Sequence, residues 1–281
     1  MRLSPAPPQG LAELTDAYEQ TARAVAELGR ACPPERIGDK TPCPGWDVFA
    51  QVAHVESVES LFSGEPMPDV QLDAADRPHV RNDFGMVIER LIESRRGLSL
   101  PEVCDRLDSI IDKRVALFRS GEITPDTEML GPFGMMPAEG LLSIRCFDIW
   151  SHEQDLRETL GIPGNLDSPA AAETMRRMYA ALGHITVAAR VPVGQAVAVE
   201  LTGPITGWGA VRVVEKDGKL RGVPVEIDEE EALAVLRLDT RSAGRLIAGR
   251  QPVGRDGGFP WSSTGDPQTV SVLVRKFGVT P

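Results

Sequence analysis

Along this chain the spacing of apolar residues changes once, near residue 190, from a helical period to that of short strands. In LAELTDAYEQTARAVAELG, Leu11, Leu14, Tyr18, Val25 and Leu28 recur at intervals of three, four and seven, as one buried helical face requires. The turn-rich TPCPGW then leads into a second helix starting near Asp47, a side chain suited to an N-cap. The same period predicts helices over 80–96, 101–119, 137–160 and 168–189, with Pro101 and Pro137 in first turns, where a missing N–H is harmless. Residues 121–137 are rich in glycine and proline and read as a loop near one end of a bundle.

Beyond Arg190, the runs QAVAVELTG, GAVRVVEKDG, KLRGVPVEI and ALAVLRLD are short, valine-rich and separated by turn residues, which predicts strands. Helical spacing returns over 240–250 and 266–277. The predicted fold class is therefore α+β: an up-and-down helical bundle over 1–190 and a smaller α+β domain over 191–281.

Composition narrows the function classes. With 42% hydrophobic and 25% charged residues, the 281-residue chain has an ordinary globular balance and enough length for a sizeable core. No apolar run approaches the roughly 20 residues that span a bilayer, and the opening MRLSPAPPQG has no signal-peptide core, so a cytoplasmic protein without a membrane partner is expected. A net charge of −11 opposes binding to phosphate backbones, which argues against nucleic acid. Cys32, Cys43, Cys104 and Cys146 form no C-x-x-C pair and read as buried small hydrophobes.

Candidate chemistry sits on two helices. On the second, Val48, Val52, Val55, Val58, Leu61 and Phe62 cover about half the circumference, and His54 falls within that arc. On the helix over 137–160, Ser143, Ser151, Gln154, Arg157 and Glu158 share a side expected to face water. Opposite them, among Leu141, Ile144, Ile149 and Leu156, lie Asp148, His152 and Asp155. A carboxylate and a histidine four residues apart project together from one face. A buried Asp148 carboxylate requires compensation. It could pair with Arg145, hydrogen-bond His152, or share a cation with His152 and His54. Two nitrogens and one oxygen would suit a zinc-type ion with an open position. His79 and His184 read as surface or boundary histidines, and the run Asp228, Glu229, Glu230, Glu231 reads as a solvated turn or strand edge. GRDGG near Gly254 does not have the setting of a phosphate loop, and no G-x-S-x-G or H-E-x-x-H pattern occurs.

TPCPGWDVFAQVAHVES and IRCFDIWSHEQDLRETLG resemble the mycothiol-dependent maleylpyruvate isomerase family, a branch of the DinB-like metal-binding helical bundles. More weakly, LRLDTRSAGRLIAGR and GDPQTVSVLVRKFGVTP resemble the sterol carrier protein-like domain appended to many members. The resemblance implies a divalent metal, often zinc, on His54, Asp148 and His152, with Asp155 as an outer group orienting a ligand. One departure stands out: the family's better-known members carry glutamate where this chain has Asp148, one methylene shorter. The resemblance also implies mycothiol or a related low-molecular-weight thiol, whose thiolate adds reversibly to a cis double bond or stays attached to an electrophile. The outcomes are isomerisation and S-transfer on a small-molecule substrate. A C-terminal arginine would grip a substrate carboxylate; Arg250 is the candidate, with Arg237, Arg241 and Arg245 as alternatives and helix-end capping as its competing role. A metal-dependent hydrolase and a lipid or small-molecule carrier with a structural or vestigial metal site are the other readings.

Overall fold

The first element, β1 (Arg2–Ser4), is followed by helices, several of them capped by side chains. α1 (Gly10–Ala31) comes first. In α2 (Val48–Phe62) the Asp47 carboxylate caps the helix, accepting from the Ala50 N–H at 2.7 Å. Asn82 caps α3 (Asp83–Glu93) in the same way. At α4 (Leu100–Arg119), Ser99 and Glu102 form a reciprocal capping box, with a proline in the first turn. A hairpin, β2 (Glu128–Gly131) and β3 (Gly134–Pro137), leads into α5 (Ala138–Leu160), which Gly161 ends in the left-handed region at φ 73°. Then come α6 (Pro169–Ala188), β4 (Ala196–Thr202), β5 (Thr206–Lys216), β6 (Lys219–Val225), β7 (Ala234–Leu238), α7 (Thr240–Ile247), β8 (Trp261–Gly265) and α8 (Pro267–Lys276). This computed structural model describes residues 2–250 and 260–278, so the GRDGG segment lies outside the described residues.

The fold is α+β in two units, residues 9–164 and a second formed by the N-terminal strand with residues from 165 onward. In the first unit, α1 packs against α4 and α5, and α2 against α3, α4 and α5. Tyr18, Val25, Val52, Leu107, Ile111, Leu141, Ile149 and Trp150 form its core. Two expectations change here. Ser143 and Ser151 do not face water: α5 is enclosed on nearly all sides, and Ser151 Oγ donates to the Phe147 carbonyl at 2.8 Å. α2 is buried around its whole circumference too, because Glu56 and Glu59 meet arginines in place of solvent. The expected loop over 121–137 contains the β2–β3 hairpin.

In the second unit the strands run in the order β1-β5-β4-β7-β8, with β6 also paired to β5. β4 and β7 are parallel and the other pairs antiparallel. α6 lies on β5 and β6, where Gly183 and Gly222 meet backbone to backbone. The division between units therefore falls before α6, at residue 165, and not near 190. A helical period shows that a helix forms but not which layer receives its apolar face. Among the described residues, no helix is long and apolar enough to cross a membrane.

Candidate metal centre

The Asp47 cap starts α2 so that His54 comes two turns in. On α5, Asp148 and His152 stand one turn apart. One ligand atom from each of His54, Asp148 and His152 lies within 4.8 Å of the others. His54 Nε2 is 3.2 Å from Asp148 Oδ2, and His152 Nε2 is 3.7 Å from Asp148 Oδ1. Trp46, from the TPCPGW turn, packs its indole against both imidazoles with centroids at 4.9 and 5.3 Å, while the two imidazoles lie 4.4 Å apart. The imidazoles are buried, and the Asp148 side chain is 28% exposed.

A hydrogen-bond chain fixes the His152 tautomer. Gln51 directs its amide nitrogen to Thr41 Oγ1 at 2.6 Å and towards Asp155 Oδ2 at 3.5 Å. Its oxygen therefore accepts from His152 Nδ1 at 2.6 Å. With the proton on Nδ1, a neutral His152 turns its Nε2 lone pair towards Asp148 Oδ1, whereas a protonated one donates to it. Two electron-rich atoms turned to one another need a cation or a proton between them. The buried His54 Nδ1 has no hydrogen-bond partner among the described residues. Two imidazole nitrogens and a carboxylate at this spacing fit a zinc-type divalent ion. The outer role expected of Asp155 belongs first to Gln51; Asp155 Oδ2 is 3.8 Å from His152 Nδ1. Gln51 was legible only as the residue one turn before His54.

All three ways of compensating Asp148 share this space. Arg145 donates from a terminal guanidinium nitrogen to Asp148 Oδ2 at 2.7 Å, beside His54 on that oxygen. Burial would raise the Asp148 carboxyl, but Arg145, His54 and His152 outweigh it and hold it well below the usual carboxylate range. The aspartate is thus ionised, as a ligand must be.

Elsewhere, His79 has the carboxylate partner that its sequence context did not reveal: its Nε2 is 2.9 Å from Glu89 Oε1, which also accepts from Trp46 Nε1 at 2.7 Å. His184 is exposed. Arg237 directs its guanidinium to Glu200 and Glu229, within the acidic run read as a turn. Arg250, in the second unit, donates to the Ala248 carbonyl at 3.0 Å, a contact at the end of α7 that suits the capping role. All four cysteines are buried, and none forms a disulfide among the described residues.

A helical bundle with a His/Asp/His cluster between two helices defines the class to which comparison with known proteins adds a family. Residues 4–157 match the family described as the mycothiol maleylpyruvate isomerase N-terminal domain, and the chain belongs to that family. Among solved structures, the chain is similar to a mycothiol-dependent maleylpyruvate isomerase, with 17% identity and a TM-score of 0.54, covering 91% of this chain and 93% of that one. A histidine-to-alanine variant of that isomerase matches equally, again at 17% identity and TM-score 0.54. No curated protein matches the chain in sequence.

Proposed function

We propose that this protein is a cytoplasmic, metal-dependent enzyme that uses mycothiol or a related thiol on a small electrophilic or unsaturated acid, as a cis–trans isomerase or S-transferase. The observation that carries the reading is the convergence of His54, Asp148 and His152, with the His152 tautomer set by Gln51. When bound there, a divalent ion, zinc by its donor set, supplies positive charge that favours thiolate over thiol at neutral pH. The chain's own residues do the rest. Gln51 keeps the His152 Nε2 lone pair available, Arg145 holds the Asp148 carboxylate ionised, and Trp46 shields both imidazoles from water. Arg250 is our candidate for gripping a substrate carboxylate. Its test is Arg250→Lys: a helix-end role needs only charge and leaves kcat/KM unchanged, whereas a bidentate grip needs the planar fork.

The deciding experiment is elemental analysis of protein purified without a metal-affinity tag, followed by turnover of maleylpyruvate with and without mycothiol. One bound metal and strict thiol dependence are expected. His152→Ala should lose both metal and activity while keeping its helical content, since the apolar faces and not the ion hold the bundle. Stoichiometric metal with activity independent of thiol would favour a hydrolase using metal-activated water. One observation bears on a carrier: the second unit has a cavity of about 690 Å³ whose lining combines apolar residues such as Tyr179, Trp208 and Val225 with charged ones such as Arg2, Arg176 and Glu226. Lipid retained by metal-free protein would favour that reading.

A further inference from the structure

Next to the candidate centre lies a buried charge cluster that supplies none of its ligands. Glu59, on α2 and fully buried, accepts from Tyr18 of α1 at 2.7 Å and from Arg145 Nε of α5 at 2.6 Å, and forms an ion pair at 2.6 Å with Arg114 of α4, whose Nε donates to the Tyr18 hydroxyl at 3.1 Å. One carboxylate thus draws groups from three other helices. Arg145 is held at both sides of its guanidinium, by Glu59 at Nε and by Asp148 at a terminal nitrogen.

Bundle stability alone does not call for this arrangement. Buried ion pairs lose in desolvation much of what they gain in attraction, and apolar groups of the same volume often serve a core equally well. Moreover, one terminal nitrogen of Arg145 and one of Arg114 are buried without hydrogen-bond partners among the described residues, an incomplete result for a purely structural network. The chain at Arg145 leads instead to the centre. Asp148 has a short side chain, partly exposed, that free rotation would carry towards water. Arg145, one turn earlier on α5, fixes Oδ2 and leaves Oδ1 facing His152.

We infer that Glu59 and Arg145 are positioning residues for the centre: Glu59 orients Arg145, and Arg145 orients the Asp148 carboxylate. This rests on reading His54, Asp148 and His152 as metal ligands. Glu56 is an internal control. It is on the same helix, equally buried and held by two arginines, Arg95 at 2.5 Å and Arg106 at 2.9 Å, neither of which bonds to a ligand residue.

The test is zinc affinity by competition with a chelating dye, and the absorption spectrum of the Co²⁺-substituted full-length protein. Glu59→Gln and Arg145→Met should each weaken zinc binding roughly tenfold to a hundredfold and alter the Co²⁺ spectrum. Arg145→Lys, which keeps the charge, should recover part of the affinity. The double variant Glu59→Gln/Arg145→Met should bind no more weakly than Arg145→Met alone, because Glu59 acts through Arg145. Glu56→Gln should lower the melting temperature and leave zinc affinity unchanged. Unaltered affinity and spectrum in Arg145→Met would overturn the inference, as would multiplying effects in the double variant or an equal loss in Glu56→Gln. If Glu59→Gln does not fold, the two Arg145 variants and the Glu56 control decide. Failure of the ligand reading looks different: wild-type protein without zinc affinity, or His152→Ala with affinity undiminished.

Discussion

At the scale of single residues, the centre depends on which nitrogen of His152 carries the proton. Gln51 decides this with its carbonyl oxygen, 2.6 Å from Nδ1. Gln51→Leu keeps much of the volume and removes the acceptor, so zinc affinity should fall roughly tenfold to a hundredfold with little change in circular dichroism; full affinity in that variant would remove Gln51 from the centre. Glu59 gives a second prediction, read in pH. Burial alone would raise its carboxyl, but Arg145, Arg114 and the Tyr18 hydroxyl outweigh burial and hold it below its ordinary value. Because the folded pKa is depressed, its stabilisation is present above the unfolded value and is lost as pH falls towards the folded one. Urea midpoints should therefore drop as pH falls below about 4.5, and drop less in Glu59→Gln. Equal slopes in the two proteins would deny Glu59 this role. The cluster of His54, Asp148 and His152 was legible because histidines and a carboxylate at helical spacing stand out among valines and leucines. Gln51, Glu59 and the Glu89 partner of His79 were not, since each acquires its meaning from a residue on another element.

At the scale of elements, the helices were legible because their apolar period is local and, at α2, so is the Asp47 cap; the structure adds caps at Asn82, Ser99 and Ser168. The faces of α2 and α5 were not, because polar residues there are satisfied by buried arginines and backbone carbonyls, which periodicity mistakes for solvent. β8 was missed since WSSTG is polar and its five residues all remain exposed, and β1 pairs only with residues 206–208, far away in sequence. The close approach of α6 to β6 is a strong constraint on these elements. A Cβ on Gly183 would stand 2.7 Å from the Gly222 carbonyl oxygen, and one on Gly222 would stand 2.4 Å from that of Gly183. Backbone cannot rotate away as a side chain can. Gly183→Ala should therefore destabilise the second unit by about 1–3 kcal/mol, as overpacking does, seen as a lower melting temperature. A neutral effect would mean that α6 can lift from the sheet at little cost.

At the scale of the whole molecule, His54, Asp148, His152 and the residues that support them all belong to residues 9–164, while α6 with β1 and β4 to β8 belongs to a unit with its own core. That division argues for an uneven response to metal. A ligand that binds only the folded form stabilises it by mass action, about 2.7 kcal/mol when free zinc is a hundredfold above its dissociation constant. The gain accrues to whichever cooperative unit contains the ligands. Differential scanning calorimetry of the full chain should then show two transitions, of which chelation by EDTA lowers one and leaves the other in place. Gly183→Ala assigns them independently, because its strain lies in the second unit: the transition it lowers should be the one that EDTA spares. Were both transitions to fall together on chelation, the two units would unfold as one. Were neither to move while elemental analysis shows metal bound, the metal would sit somewhere other than His54, Asp148 and His152.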